Sequence, residues 1–355
     1  MMMTACDDGR RRVYESGDKG DSWTEALGTL SRVWGNEHEG PEKGVGSGFI
    51  TATIVGDGDD NRNVMLVTLP VYTEKREEEK ERNQKSELHL WLTDNTHIVD
   101  IGPVSSDEEN VAASSLLYKS GTNNEEKLIA LYEKKKGGEE TQSSSGMVSV
   151  LLTEQLKRVK DVLATWKKVD DIVSKLCSSS IAAVSASPGN VCSAGKITAG
   201  LVGFLSGNFS DKTWRDEYLG VNAMVKKNDG AEKATSATAT GLPYGVKFQG
   251  AWAEWPVGRQ GENQLYHFAN YNFTLVATVS IHNVAKSGSV PLMGAVMNDT
   301  KNTVLLGLSY SKGKKWQVLC SGRTIPETSD TWEAETTYQV AIVLQNGTQG
   351  TAYVD

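Results

Sequence analysis

The sequence predicts an all-β chain of two domains joined by one long helix, and three observations carry that expectation. Many short stretches alternate with a period of two, as where Phe273, Leu275, Ala277, Val279 and Ile281 interleave with Thr274, Val276, Thr278, Ser280 and His282. That period marks a strand. Only Thr153 to Cys177 clearly breaks it: Leu156, Val159, Leu163, Trp166, Val169, Val173 and Leu176 recur at intervals of three and four and so share one helical face. No alternation of strands and helices flanks this stretch, which favours a rigid brace between two β domains over a helix inside an α/β domain.

The helix would span roughly 36 Å at 1.5 Å per residue. Thr153 stands where an N-cap is needed, and the serines at 178 to 180 offer nothing to continue the apolar periodicity. A chain of 355 residues can bury two sizeable cores, and its 35 glycines and 8 prolines suit turn-rich β structure. Its 45 acids outnumber its 37 bases, which argues against nucleic acid as a partner, because polyanion binding needs a basic face. The four cysteines and five histidines never fall at metal-ligand spacing, so neither a metal nor any other cofactor is expected.

No apolar run approaches the ~20 residues that cross a bilayer. The opening residues, Met1 to Cys6, also lack the charged and apolar regions of a secretory signal. Yet four N-x-[ST] sequons, at Asn208, Asn272, Asn298 and Asn346, all follow the helix, as in a glycosylated extracellular domain. The two observations agree if the sequence is a fragment of a longer protein whose signal and anchor lie outside it. Gly350 to Asp355 likewise reads as a strand with no closing partner.

In chain order, Ser16-Gly17-Asp18-Lys19-Gly20-Asp21-Ser22-Trp23 fits S-x-D-x-G-x-[ST]-W at every specified position. The spacing suits a tight turn between strands. Asp18 can bind local amides, Gly20 permits a positive φ, and Trp23 can tuck beneath the loop as an apolar anchor. This pattern is the Asp box of sialidase propellers, where it lies away from the catalytic face, so Ser16, Asp18, Gly20 and Trp23 are expected to be architectural. Ala26 to Gly35, ALGTLSRVWG, and Leu90 to Asn95, LWLTDN, resemble phrases of the trypanosomal trans-sialidase family.

Strands are expected at Phe49 to Val55, Val64 to Thr68, Leu88 to Leu92, Ser114 to Tyr118 and Lys127 to Tyr132. Thr73 to Glu87 is dense in both charges and reads as a solvated loop, and Gly137 to Ser145 as a polar turn. On the resemblance, residues 1–152 form the C-terminal blades of a partial six-bladed sialidase β-propeller, and 153–177 the connecting helix. Residues 178–355 alternate as a two-sheet jelly roll. That half resembles the concanavalin-like lectin β-sandwich of the family through AGLVGFLS at 199–206, WAEWPV at 252–257 and QGENQLYHFAN at 260–270.

The resemblance also implies a chemistry to look for. In sialidases three arginines hold the sugar carboxylate, a tyrosine paired with a glutamate is the nucleophile, and an aspartate is the acid/base. A guanidinium matches a carboxylate bidentately, and a neutral tyrosine meets less repulsion beside that carboxylate than an anion would. The first arginine, the aspartate and the glutamate would precede Met1. Tyr118, in SSLLYK, matches the nucleophile position, whereas the second arginine position falls on Ala5. The third falls nearest Lys85, inside the charged loop, where no tryptophan occurs between Trp34 and Trp91. Lysine lacks the bidentate geometry, and Arg76 or Arg82 could substitute only if the loop folded back.

Each lost carboxylate anchor would cost roughly 2 to 5 kcal/mol. The resemblance therefore implies a non-catalytic surface glycoprotein, an adhesin for host glycans or extracellular matrix proteins. It would be monomeric, at the cell surface or secreted, and anchored through glycosylphosphatidylinositol in the full-length parent. The alternative is an exo-α-sialidase or trans-sialidase acting through Tyr118 on terminal sialic acid. Cys177 and Cys192 flank a Ser/Ala/Pro-rich loop, and in an oxidising setting their spacing predicts a disulfide contributing about 3 kcal/mol. Peptide mapping of oxidised, secreted protein should recover a fragment linking Cys177 to Cys192; recovery of both as free thiols would remove this bridge.

Overall fold

The structure is a computed structural model. It describes residues 2–3, 12–26, 30–31, 34, 46–55, 61–72, 86–106, 109–121, 126–135, 145–180, 198, 200–227, 238–256, 272–283, 288–297, 300, 303–325, 331–345 and 349–355. Two compact units emerge, Met1–His267 and Phe268–Asp355.

The first unit opens with three antiparallel sheets, which follow one another in chain order as the propeller blades implied by the resemblance would. Strands β1 (Met2–Met3), β2 (Val13–Glu15) and β3 (Thr24–Glu25) form the first. Next come β4 (Phe49–Val55), β5 (Asn61–Tyr72), β6 (Ser86–Thr93) and β7 (Ile98–Pro103), paired in that order. The third sheet joins β8 (Asn110–Lys119), β9 (Lys127–Lys135) and β10 (Ser145–Leu151). The middle sheet is buried on both faces, as its strand period dictates. Met65, Val67 and Leu69 meet Val13, Leu30 and Trp34 on one side. On the other, Val64, Leu66, Leu90 and Leu92 join a core with Leu116, Leu128 and Tyr132 of the third sheet. Strand β5 carries Pro70, which pairs with Leu88 beyond the reach of β4, so the missing amide faces no second ladder.

Helix α1 (Thr153–Ser180) runs three residues past the expected end. Serine is only a modestly poor helix former, and end assignments drift by a residue or two, so the serines extend the last turn. The N-cap also differs. Leu156 donates its amide to the Leu152 carbonyl at 3.0 Å, so the half-in residue is Leu152, which a bond to Leu128 ties to β9. The predicted stripe is buried from Leu156 through Val173, with Val162 added to it. It completes the core shared by the second and third sheets.

After the helix, β11 (Leu205–Ser210), β12 (Thr213–Asp216) and β13 (Ala223–Lys227) form a meander. The hairpin of β14 (Thr238–Leu242) and β15 (Gly245–Gln249) precedes β16 (Ala251–Glu254), which pairs beside β13. Phe248 of the hairpin meets Trp214 at 5.9 Å, and Gly207 is a glycine because a Cβ there would overlap the Pro243 carbonyl.

The second unit is a small sandwich. One sheet orders β17 (Phe273–Ser280) beside two later strands, and the other begins with β18 (Ser289–Val296) and β19 (Val304–Ser311). β19 is followed by β20 (Trp316–Cys320) and β21 (Arg323–Ile325), while β22 (Thr337–Gln345) and β23 (Gln349–Val354) pair after β17. Leu306, Leu308 and Trp316 meet Val340, Ile342 and Leu344 in its core. The final stretch has a partner after all: Val340 pairs with Val354 and Gln345 with Gln349, an antiparallel pairing with β22 that the apolar pattern of the segment alone does not register.

Trp166, fully buried at the middle of α1, donates its indole nitrogen to the Tyr218 carbonyl at 2.9 Å and packs against His97. Trp166→Ala should lower unfolding free energy by about 3–5 kcal/mol, from the cavity and the orphaned carbonyl together. Urea titration of parent and variant measures this, and a loss below about 1 kcal/mol would show that the site collapses without cost.

Candidate functional site

Tyr118 lies near the end of β8 on the face turned toward α1. Its hydroxyl donates to Glu126 Oε1 at 2.7 Å and lies 3.5 Å from the Thr53 carbonyl. Glu126 is ion-paired in turn with Lys160, one turn into the helix from Leu156. Burial, followed by the Glu126 carboxylate, pushes the phenol well above its ordinary range, so the proton stays on the tyrosine. A carboxylate already satisfied by an ammonium is a weak base for that proton. The arrangement holds a protonated phenol in place.

A second tyrosine–glutamate pair stands farther along the same sheet. Tyr132 donates to Glu109 Oε2 at 2.7 Å, and Lys134 to Glu109 Oε1 at 2.6 Å. Burial and Glu109 push the Tyr132 phenol up. Beside the helix, Arg62 reaches Asp170 at 2.7 Å and Asp94 at 3.8 Å, while Tyr218 donates to Asp170 at 2.7 Å. The pairs at 118 and 132 join neighbouring strands, and the Arg62 group joins elements far apart in sequence. Only Tyr118 was predictable as a site residue; Glu126 and Lys160 gave no signal, since lone charges on a strand edge and a helix face read as solvated.

The Asp box forms the predicted turn between β2 and β3. Asp18 accepts from the Ser22 amide at 2.9 Å, the Ser22 hydroxyl at 2.6 Å and the Ser16 hydroxyl at 2.8 Å, and Ser16 Oγ accepts from the Gly20 amide. The Ser22 bonds, and then Ser16, hold the Asp18 carboxyl well below the usual range. Lys19 and Gly20 take positive φ, at 62° and 104°. Trp23 departs from the expectation: it is 44% exposed and lies over the loop, donating to the Gly20 carbonyl at 3.1 Å. Its indole nitrogen needs a partner, and the carbonyl supplies one at the surface.

Ala5, Lys85, Arg76, Arg82, Cys192, Asn298 and Asn346 fall outside the described residues, as does the side chain of Cys177, so the bridge and the arginine positions do too. Asn208 is exposed on β11 and Asn272 is exposed just before β17. Among the described residues no helix is long and apolar enough to cross a membrane, and no cluster of His, Cys, Asp or Glu is suited to a metal ion.

A family model for a BNR repeat-like domain matches residues 1–133, and one for the C-terminal domain of trans-sialidases matches residues 197–355. The chain belongs to the trypanosomal trans-sialidase family. It is 34% identical to a sialidase of Trypanosoma cruzi over 98% of its own length and 27% of that protein. To sialidase 85-1.1 of the same organism it is 35% identical, over 100% of its length and 41% of the relative. The solved sialidase of Trypanosoma rangeli, as a mutant displaying trans-sialidase activity, superposes with a TM-score of 0.77 at 38% identity, over 99% of this chain and 50% of that one. The same sialidase with the inhibitor DANA gives 0.76 at 35%, with the same coverage. The chain thus spans half or less of the length of these relatives.

Tyr118, Tyr132 and Tyr218 all keep their protons above the ordinary phenol value. The stability they contribute is fully present below pH about 10, where an unfolded phenol begins to ionise, and is lost as pH rises through the higher folded values. Tyr118→Phe combined with Tyr132→Phe should flatten the alkaline limb of the stability profile above pH ~10. Circular dichroism with phenolate absorbance at each pH reads this; unchanged limbs would contradict it.

Proposed function

We propose that this protein is a sialidase-shaped, non-catalytic surface glycoprotein, an adhesin that engages host glycans or matrix proteins. It would be displayed at the cell surface or secreted, with any lipid anchor carried by a longer form. The observation that carries the reading is the bonding of Tyr118. A nucleophilic phenol must give up its proton as it attacks, whereas this one donates to a carboxylate that Lys160 already neutralises. The counted positions for two carboxylate-binding arginines hold Ala5 and Lys85, which supports the same conclusion from sequence.

A second reading is favoured by one observation: Tyr118, at the nucleophile position, keeps a carboxylate within 2.7 Å, that of Glu126, although the glutamate of the family's pair would precede Met1. On that reading the protein is an exo-α-sialidase or trans-sialidase, like the relatives named as such. Hydrolysis of a fluorogenic sialoside by the intact protein separates the two. Adhesin function predicts no turnover above a heat-inactivated control, together with saturable binding to host cells; turnover abolished by Tyr118→Phe would overturn it.

A further inference from the structure

The sheet of β11, β12, β13 and β16 has two unlike faces. Inward, Trp214 meets the β14–β15 hairpin, and Ala223 and Val225 are buried. Outward, Trp252 and Met224 stand 40% and 42% exposed, with Lys226 and Glu254 also exposed. Register gathers these four side chains. Met224 pairs with Glu254 and Lys226 with Trp252, and residues opposite each other or two apart on a strand share a face at about 5 to 7 Å.

The details of the cluster point to a ligand. Trp252 Nε1 donates to Glu254 Oε1 at 2.9 Å, which fixes the rotation of the indole and leaves the second carboxylate oxygen able to accept from hydroxyls. Thr213 Oγ1 lies 3.6 Å from Met224 Sδ and closes the apolar edge. Among the described residues Lys226 enters no ion pair. A held, exposed tryptophan beside an unpaired ammonium has an apolar surface and a positive charge, both unmatched. The patch is four side chains wide, far short of the roughly 800 Å² per partner of a stable protein interface.

A pyranose ring carrying a carboxylate matches both features: its C–H face covers the indole, its hydroxyls reach Glu254, and its carboxylate reaches Lys226. We propose that Trp252, Lys226 and Glu254 form a binding subsite for an acidic sugar at the end of a glycan. The subsite lies in the lectin-like half of the sequence and uses none of the residues around Tyr118. It rests on the adhesin reading and names where a glycan ligand would be met.

Binding of the whole chain to immobilised sialyllactose and to lactose, by surface plasmon resonance, tests the subsite. The parent should prefer sialyllactose. Trp252→Ala should weaken that binding at least tenfold, and Lys226→Glu should erase the preference for the acidic sugar while Lys226→Arg keeps it. Met147→Ser, an exposed position on β10, should bind as the parent does. Thermal melts accompany each variant, and if Trp252→Ala fails to fold, the two lysine variants decide. Sialyllactose binding that both Trp252→Ala and Lys226→Glu leave intact would overturn the subsite and spare the adhesin reading. Equal binding of lactose and sialyllactose by the parent would overturn the acidic specificity. Binding of host cells by the parent with neither sugar bound, and with Trp252→Ala without effect, would also sink the subsite, leaving a protein ligand elsewhere. Binding of neither sugar nor host cells would overturn both readings together.

Discussion

The larger unit depends on the environment of one side chain, Trp166. It is wholly buried, so its indole N–H must find an acceptor inside the protein or forfeit roughly 1 to 3 kcal/mol. The acceptor is the carbonyl of Tyr218, 52 residues away, in the turn between β12 and β13. That single requirement sets both the rotation of α1 and the position of the meander after it. His97 fills the space between, stacked on Tyr218 at 4.2 Å and tilted against Trp166 at 5.0 Å, with its ring nitrogens toward Asp94 and the Leu201 carbonyl. Sheet, helix and meander therefore share one aromatic contact.

Around that contact the charges are arranged as a chain. Arg62 lies 5.9 Å from the centre of the Trp166 ring and bonds Asp170, which also accepts from Tyr218, while Asp94 accepts from the amides of Thr96 and His97. Asp216, 2% exposed, accepts from the amides of Phe204, Tyr218 and Gly220 and so shapes the turn that presents the Tyr218 carbonyl. Burying acids and a guanidinium is costly unless each is bonded, and a network satisfied in one geometry penalises every other. Apolar burial supplies the cohesion here; the polar network selects one docking of the meander on the helix.

What could be read from the sequence followed from period. β4 alternates cleanly and was located to the residue, and the helical stripe from Leu156 to Val173 was visible because its spacing is unmistakable against strands. The turn of the Asp box was legible from Asp18 and Gly20, since they contact only near neighbours, whereas the placement of Trp23 over the loop was not. β10 begins on Ser145, the last residue of the stretch that reads as a polar turn, and drew no strand reading of its own, while β23 was denied a partner because pairing is a property of two segments. The same reason hides the candidate site. Arg62 and Asp170 are 108 residues apart, and Glu126 meets Lys160 only once α1 has docked. Trp252 and Glu254 stood in a phrase used for family likeness, yet their shared open face follows only from the register with β13.

The two kinds of site differ in what surrounds their polar groups, and this bears on how such a chain can function. Around Tyr118 the strong groups are engaged: phenol on carboxylate, carboxylate on ammonium, with the tyrosine half-buried beside the helix. Catalysis would require that network to break and re-form at each turnover, and its members also hold the third sheet to α1. A group cannot easily be both a structural tie and a proton carrier, because the stability it contributes raises the barrier to moving it. The outward face at Trp252 has the opposite character, with charge and apolar surface held in place but unmatched. Ligand there would displace water alone and leave the core untouched, so binding can change through substitutions on that face without loss of the fold. On the adhesin reading the Tyr118 pair serves as a structural tie, and the scaffold still offers, at Trp252, a surface on which recognition can vary.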